Sequence, residues 1–65
     1  MNLSASVEET TWNQAEGMGV LHGGRIVAVW WDSETCSGRE GSQESASEYA
    51  YEFGGATVPV KRRRP

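Results

Sequence analysis

The run Arg25-Ile26-Val27-Ala28-Val29-Trp30-Trp31 decides the fold of this chain. After the arginine every position is apolar, and β-branched and aromatic side chains favour an extended strand. Successive side chains of a strand point to opposite faces, so both faces of this one are apolar. A chain of 65 residues has room for about one covering helix, and so for covering one face readily. The surplus of apolar surface points to a contact outside the monomer.

Outward from this run, residues 18–22 precede it across Gly23-Gly24. Two glycines between apolar runs predict a β-hairpin, because primed turns need positive φ. The pairing that follows sets His22 against Arg25, Leu21 against Ile26, Val20 against Val27, Gly19 against Ala28, Met18 against Val29 and Gly17 against Trp30. One face then carries Met18, Val20, Val27, Val29 and Trp31. The other carries Leu21, Ile26, Ala28 and Trp30, with Trp30 over the bare backbone of Gly17. A slip of one residue exchanges these partners.

The flanks supply the remaining elements. Leu3, Ala5 and Val7 alternate with polar residues as a half-buried strand does, and Thr10, Thr11 and Trp12 extend it. Residues 32–41 are polar, carry two glycines and predict a loop. In residues 42–53, Ala46, Tyr49, Ala50 and Phe53 fall at helical spacing on one stripe, Ser42 is a candidate cap, and Gly54-Gly55 stops the helix. Ala56, Val58 and Val60 alternate around Pro59, which lacks an amide donor and places this last strand at an edge or leaves that position unbonded. The predicted fold is α+β: an antiparallel sheet of three to four strands against one helix, in the order β-β-β-α-β, over residues 1–60. A small all-β barrel is the alternative. Residues 61–65 form a basic tail.

Charge is uneven. Residues 1–60 hold all nine acids against Arg25 and Arg39, a formal −7, and Lys61, Arg62, Arg63 and Arg64 bring the chain to −3. The four cations suit phosphate contacts, but the acidic body repels phosphates, and no aromatics interleave with the cations to stack bases. Cys36 is the single cysteine, so no internal disulfide forms, which fits a reducing cytoplasm. No apolar run approaches the ~20 residues of a membrane span, and the amino terminus lacks the pattern of a signal peptide.

Catalytic chemistry finds little support. His22 is the sole histidine, and its spacing from Ser33 and Cys36 assembles no dyad. One Cys, one His and scattered carboxylates match no metal-ligand spacing. No catalytic residue, metal, cofactor or small-molecule substrate is expected, and the chain reads as a non-enzyme.

Binding chemistry is better represented. Glu44, Glu48 and Glu52 recur at i, i+4 and i+8 without lysines to pair them, forming a carboxylate row suited to steering a basic partner. Trp12, Trp30, Trp31, Tyr49 and Tyr51 are many aromatics for this length, and aromatics dominate interface hot spots. Leu21, Ile26 and Trp30 are the expected anchors, Glu44, Glu48 and Glu52 the steering charges, and Tyr51, off the helix stripe, a second exposed aromatic. The strand-strand-helix-strand layout with its acidic surface resembles small bacteriophage proteins that inhibit host enzymes. Residues 51–65 are similar to the helix-to-last-strand segment of phage RNA-polymerase inhibitors. That resemblance rests on no motif and assigns no residue. It implies a phage or mobile-element accessory protein that occupies the surface of a host protein, such as a nucleic-acid-handling enzyme. Self-association into a homodimer through the same sheet face, and nucleic-acid contact through the basic tail, are the alternatives.

Overall fold

Gly23 and Gly24, with φ of 62° and 79°, turn the chain between strand β2 (Gly17–His22) and strand β3 (Arg25–Trp31), as a primed hairpin turn requires. The computed structural model describes residues 6–64. Before the hairpin stands a short strand β1 (Val7–Glu9), and after it come helix α1 (Arg39–Phe53) and strand β4 (Ala56–Arg62). The order β-β-β-α-β is the expected α+β arrangement, with all four strands antiparallel in one curled sheet ordered β1-β4-β2-β3.

The hairpin register departs from prediction. His22 pairs with Arg25 and Leu21 with Ile26, but Val20 then pairs with Ala28, Gly19 with Val29, Met18 with Trp30 and Gly17 with Trp31. Val27 is the extra residue of a β-bulge, opposed with Ala28 to the single Val20. One inserted residue exchanges the faces of everything beyond it. Trp30, grouped with Leu21 and Ile26 in the predicted register, packs instead with Met18, Val20, Ala46, Tyr49 and Ala50 on the helix side. Val29 and Trp31, grouped with Met18 and Val20 in the predicted register, join Leu21, Ile26, Val58, Val60 and Val7 on the other side.

The second face therefore has a small core of its own. Val7, Ile26 and Val60 are buried there, with Leu21, Val29, Trp31 and Val58 half-buried around them. Glycines make this possible. A Cβ on Gly19 would lie 3.0 Å from Val60 Cγ1 and 3.3 Å from Ile26 Cγ2, so its absence lets side chains of β3 and β4 meet across β2. Trp31, not Trp30, lies over Gly17, where a Cβ would stand 3.0 Å from the ring. Curling the sheet over bare backbone thus covers much of the apolar surplus without a second helix.

Three boundaries also differ. The segment read as a loop from 32 to 41 begins with a 3₁₀ turn at Asp32–Glu34, and α1 starts at Arg39. Gly38, with φ of 61°, admits the chain to the helix. The Thr35 hydroxyl donates to the Gly38 carbonyl at 2.6 Å, and Ser42, the predicted cap, lies wholly buried inside the first turns. Arg39 locks this corner: its Nε donates to Asp32 Oδ2 at 2.8 Å and its Nη2 to the Ala15 carbonyl at 3.1 Å. Trp12 does not extend β1; Trp12–Gln14 is a 3₁₀ turn, and the proposed strand residues Leu3 and Ala5 lie outside the described residues.

β4 is interior rather than an edge strand, despite Pro59. Thr10 N–H donates to the Pro59 carbonyl at 3.1 Å, so Pro59 turns its backbone toward β1. β1 ends at Glu9, and the missing amide falls just where its ladder stops. Gly54 and Gly55, with φ of 89° and 115°, end the helix and bring β4 in beside β2. A Cβ on Gly55 would lie 2.7 Å from the Leu21 carbonyl oxygen.

Candidate functional site

α1 crosses the sheet with its stripe downward: Ala46 is fully buried, and Tyr49 and Ala50 are half-buried against Met18 and Val20. Tyr49 meets the edge of Trp30 with ring centroids 5.6 Å apart and packs tilted on Phe53 at 4.7 Å. Phe53, the last residue of the stripe, overhangs the covered part of the sheet and is 64 % exposed. Trp30, Tyr49 and Phe53 floor an open groove of about 760 Å³ between α1 and β3. Glu48, Glu52 and Tyr51 rim it, and Tyr51 is 92 % exposed.

The carboxylate row is present as a helix flank. Glu44, Glu48 and Glu52 are all exposed, and none forms an ion pair among the described residues. Tyr51 stands where it was expected, open to solvent beside Glu48 and Glu52. The three expected anchors, however, do not form one patch. The bulge leaves Trp30 in the groove on the helix side and Leu21 and Ile26 on the opposite side of the sheet. Ile26 is 4 % exposed and serves the core. Phe53, predicted on the apolar stripe of the helix, supplies exposed aromatic surface instead, beside the half-buried Tyr49. The signal was available: Phe53 precedes Gly54-Gly55, so no further helical turn shields it.

The basic end is built into the sheet rather than trailing from it. β4 runs through Arg62, with Lys61 opposite Glu8 and Arg62 opposite Val7, and Arg63 N–H donates to the Ser6 carbonyl at 2.9 Å. The Arg62 guanidinium lies 4.0 Å over the Trp31 ring. Glu16 gathers the rest: its Oε1 accepts the Arg62 backbone N–H at 2.8 Å and its Oε2 accepts Arg64 Nη2 at 2.6 Å. Pro65 lies outside the described residues.

These bonds give Glu16 a pH signature. The Arg64 side chain first, and the Arg62 amide second, hold its carboxyl below the usual carboxylate range near 4.5. A carboxyl lowered on folding stabilises the fold fully above its unfolded value, and the contribution is lost as pH falls through the folded value. Glu16→Gln is expected to remove the part of the acid-induced stability loss that this group causes below about pH 4.5. Urea midpoints across the acid range measure it. Parallel acid limbs for the two proteins would refute the assignment.

Other chemistry is sparse. Cys36 is exposed in the turn before α1. His22 sits by Gly54 beside a smaller hollow with Val27, Tyr49 and Phe53. Among the described residues no group of three or more His, Cys, Asp and Glu is placed to hold a metal ion, and no helix is long and apolar enough to cross a membrane. No family model, curated protein or solved structure matches the chain.

Proposed function

We propose that this chain is a non-enzymatic protein-binding module that docks through the groove between α1 and β3. One observation carries the reading: Phe53 and Tyr51 are 64 % and 92 % exposed beside the Trp30–Tyr49 pair, and carboxylates that form no ion pair among the described residues rim the same surface. Rigid aromatics bury large area at small entropic cost and are enriched at hot spots. A rim of one sign selects and accelerates partners of the other sign. The mode of action is steric: the module occupies a surface. The layout's resemblance to small bacteriophage inhibitors supports a host nucleic-acid-handling enzyme as the occupied protein, since basic patches that face phosphates complement this rim.

Photo-crosslinking inside cells tests the reading. With p-benzoylphenylalanine in place of Tyr51 or Phe53, a discrete covalent adduct to a second protein is expected. The same probe at Glu9, exposed on β1 at the opposite edge of the sheet and outside the groove lining, is expected to give none. Absence of adducts from both groove positions overturns the proposal.

A further inference from the structure

The groove borders a strand edge that is open for pairing. β3 closes one side of the sheet, and among the described residues no strand lies beyond it. The backbone groups directed outward follow from the ladder. Asp32 N–H donates to the Glu16 carbonyl at 3.0 Å, so Asp32 turns toward β2. In an antiparallel ladder this alternates, so Trp31 and Val29 turn their N–H and C=O groups away from the sheet. The bulge lies at Val27, which leaves the register regular from Ala28 to Trp31. Between Arg25 and Asp32 the strand carries no charge and no proline, and the bulge at Val27, itself a device that protects an edge, lies outside the regular stretch Ala28 to Trp31.

A second copy of the chain does not suit this edge. Two β3 strands paired about a two-fold axis would place both helices on the same side of a continuous sheet. The flank of α1 that faces β3 carries Glu48 and Glu52 into the groove, and each copy would set these carboxylates against the same ones of its partner. Like charges across an interface oppose association. The same geometry favours an incoming strand with cations on the helix side.

We propose that the β3 edge accepts an extended, basic segment of a partner protein as a fifth strand. The inference rests on the binding-module reading and names the class of partner. Residues of the segment opposite Val29 and Trp31 pair with their backbone and turn aliphatic side chains to the face of Val29. Alternate residues are Lys or Arg and reach over Trp30, Tyr49 and Phe53 toward Glu48 and Glu52. Cations favour aromatic faces and carboxylates alike, and main-chain pairing with alternating side-chain pockets is the established physics of strand addition.

A short, end-capped peptide of alternating lysine and valine is the probe. It is expected to bind the whole chain and slow amide exchange at Val29 and Trp31, while a glutamate–valine peptide does not bind. N-methylation separates strand pairing from charge. On the proposed register the valine amides face β3 and the lysine amides face away. Methylating the valine amides is expected to weaken binding more than about tenfold, and methylating the lysine amides to leave it near the parent value. Glu48→Gln with Glu52→Gln is expected to weaken the parent peptide about tenfold at low salt. Equal binding of the two methylated peptides, or no binding of the parent, overturns strand addition. So does a dimer in sedimentation that Val29→Lys dissolves. Crosslinks from positions 51 and 53 that persist alongside either result leave the binding-module reading standing; loss of those crosslinks removes both.

Discussion

Gly17→Ala is expected to destabilise the domain by about 3 kcal/mol or more, enough to unfold much of the population at room temperature. A domain of this size is stable by roughly 3 to 10 kcal/mol, so the loss is comparable with the whole. The cause is local and rigid. A Cβ on Gly17 would fall onto the Trp30 carbonyl oxygen, and within 3.0 Å of Trp31 Cα and the Trp31 ring. Two of these obstacles are backbone of the adjacent strand and cannot rotate aside. Relief requires β3 to move, which breaks the Glu16–Asp32 hydrogen bond and the packing of Trp31 on Arg62 together. Gly23→Ala is the contrasting control. Its φ of 62° strains an L residue, but nothing lies within 4 Å of the new methyl, so the expected cost is only about 1–2 kcal/mol. Urea unfolding followed by tryptophan fluorescence compares the two. A Gly17→Ala midpoint at or above that of Gly23→Ala would mean that β3 does not cross Gly17 in the register described.

That register is also where the sequence stops being a sufficient guide. Local chemistry makes the hairpin legible: Gly23-Gly24 demands a primed turn, and the first two pairs, His22 with Arg25 and Leu21 with Ile26, follow from it. The bulge at Val27 has no local signature, because valine is an ordinary strand residue and the demand for it is tertiary. With the bulge, Trp30 lies under Tyr49, and Trp31 lies over Gly17, where a glycine leaves space for an indole. Pairing without it would put Trp31 beneath the helix. The Glu44, Glu48 and Glu52 row and the exposure of Tyr51 were legible because helical spacing fixes a face by arithmetic alone. The end of β4 was not. Lys61 and Arg62 look like a solvated tail until Glu16, far away in sequence, accepts the Arg62 amide and extends the edge that β2 presents.

The same exchange of faces decides which substitution tests binding cleanly. Phe53→Ser is expected to weaken partner affinity by about 2 kcal/mol or more, roughly thirtyfold, with little loss of fold. Phe53 is 64 % exposed, so its burial contributes only about 0.5–1 kcal/mol to stability. Its ring nevertheless lies against Tyr49 at the floor of the groove, where a partner would enclose it. Trp30 is a poorer probe. It supports Tyr49 and packs with Met18 and Val20, so Trp30→Ala is expected to cost about 3 kcal/mol of stability and to confuse unfolding with lost contact. The decisive pair of measurements is a urea midpoint and an affinity for the protein captured from position 53, both on Phe53→Ser. A near-native midpoint with unchanged affinity would show that the groove is bystander surface. A near-native midpoint with the thirtyfold loss separates contact from folding, because a partner must bury the part of Phe53 that the monomer leaves in water.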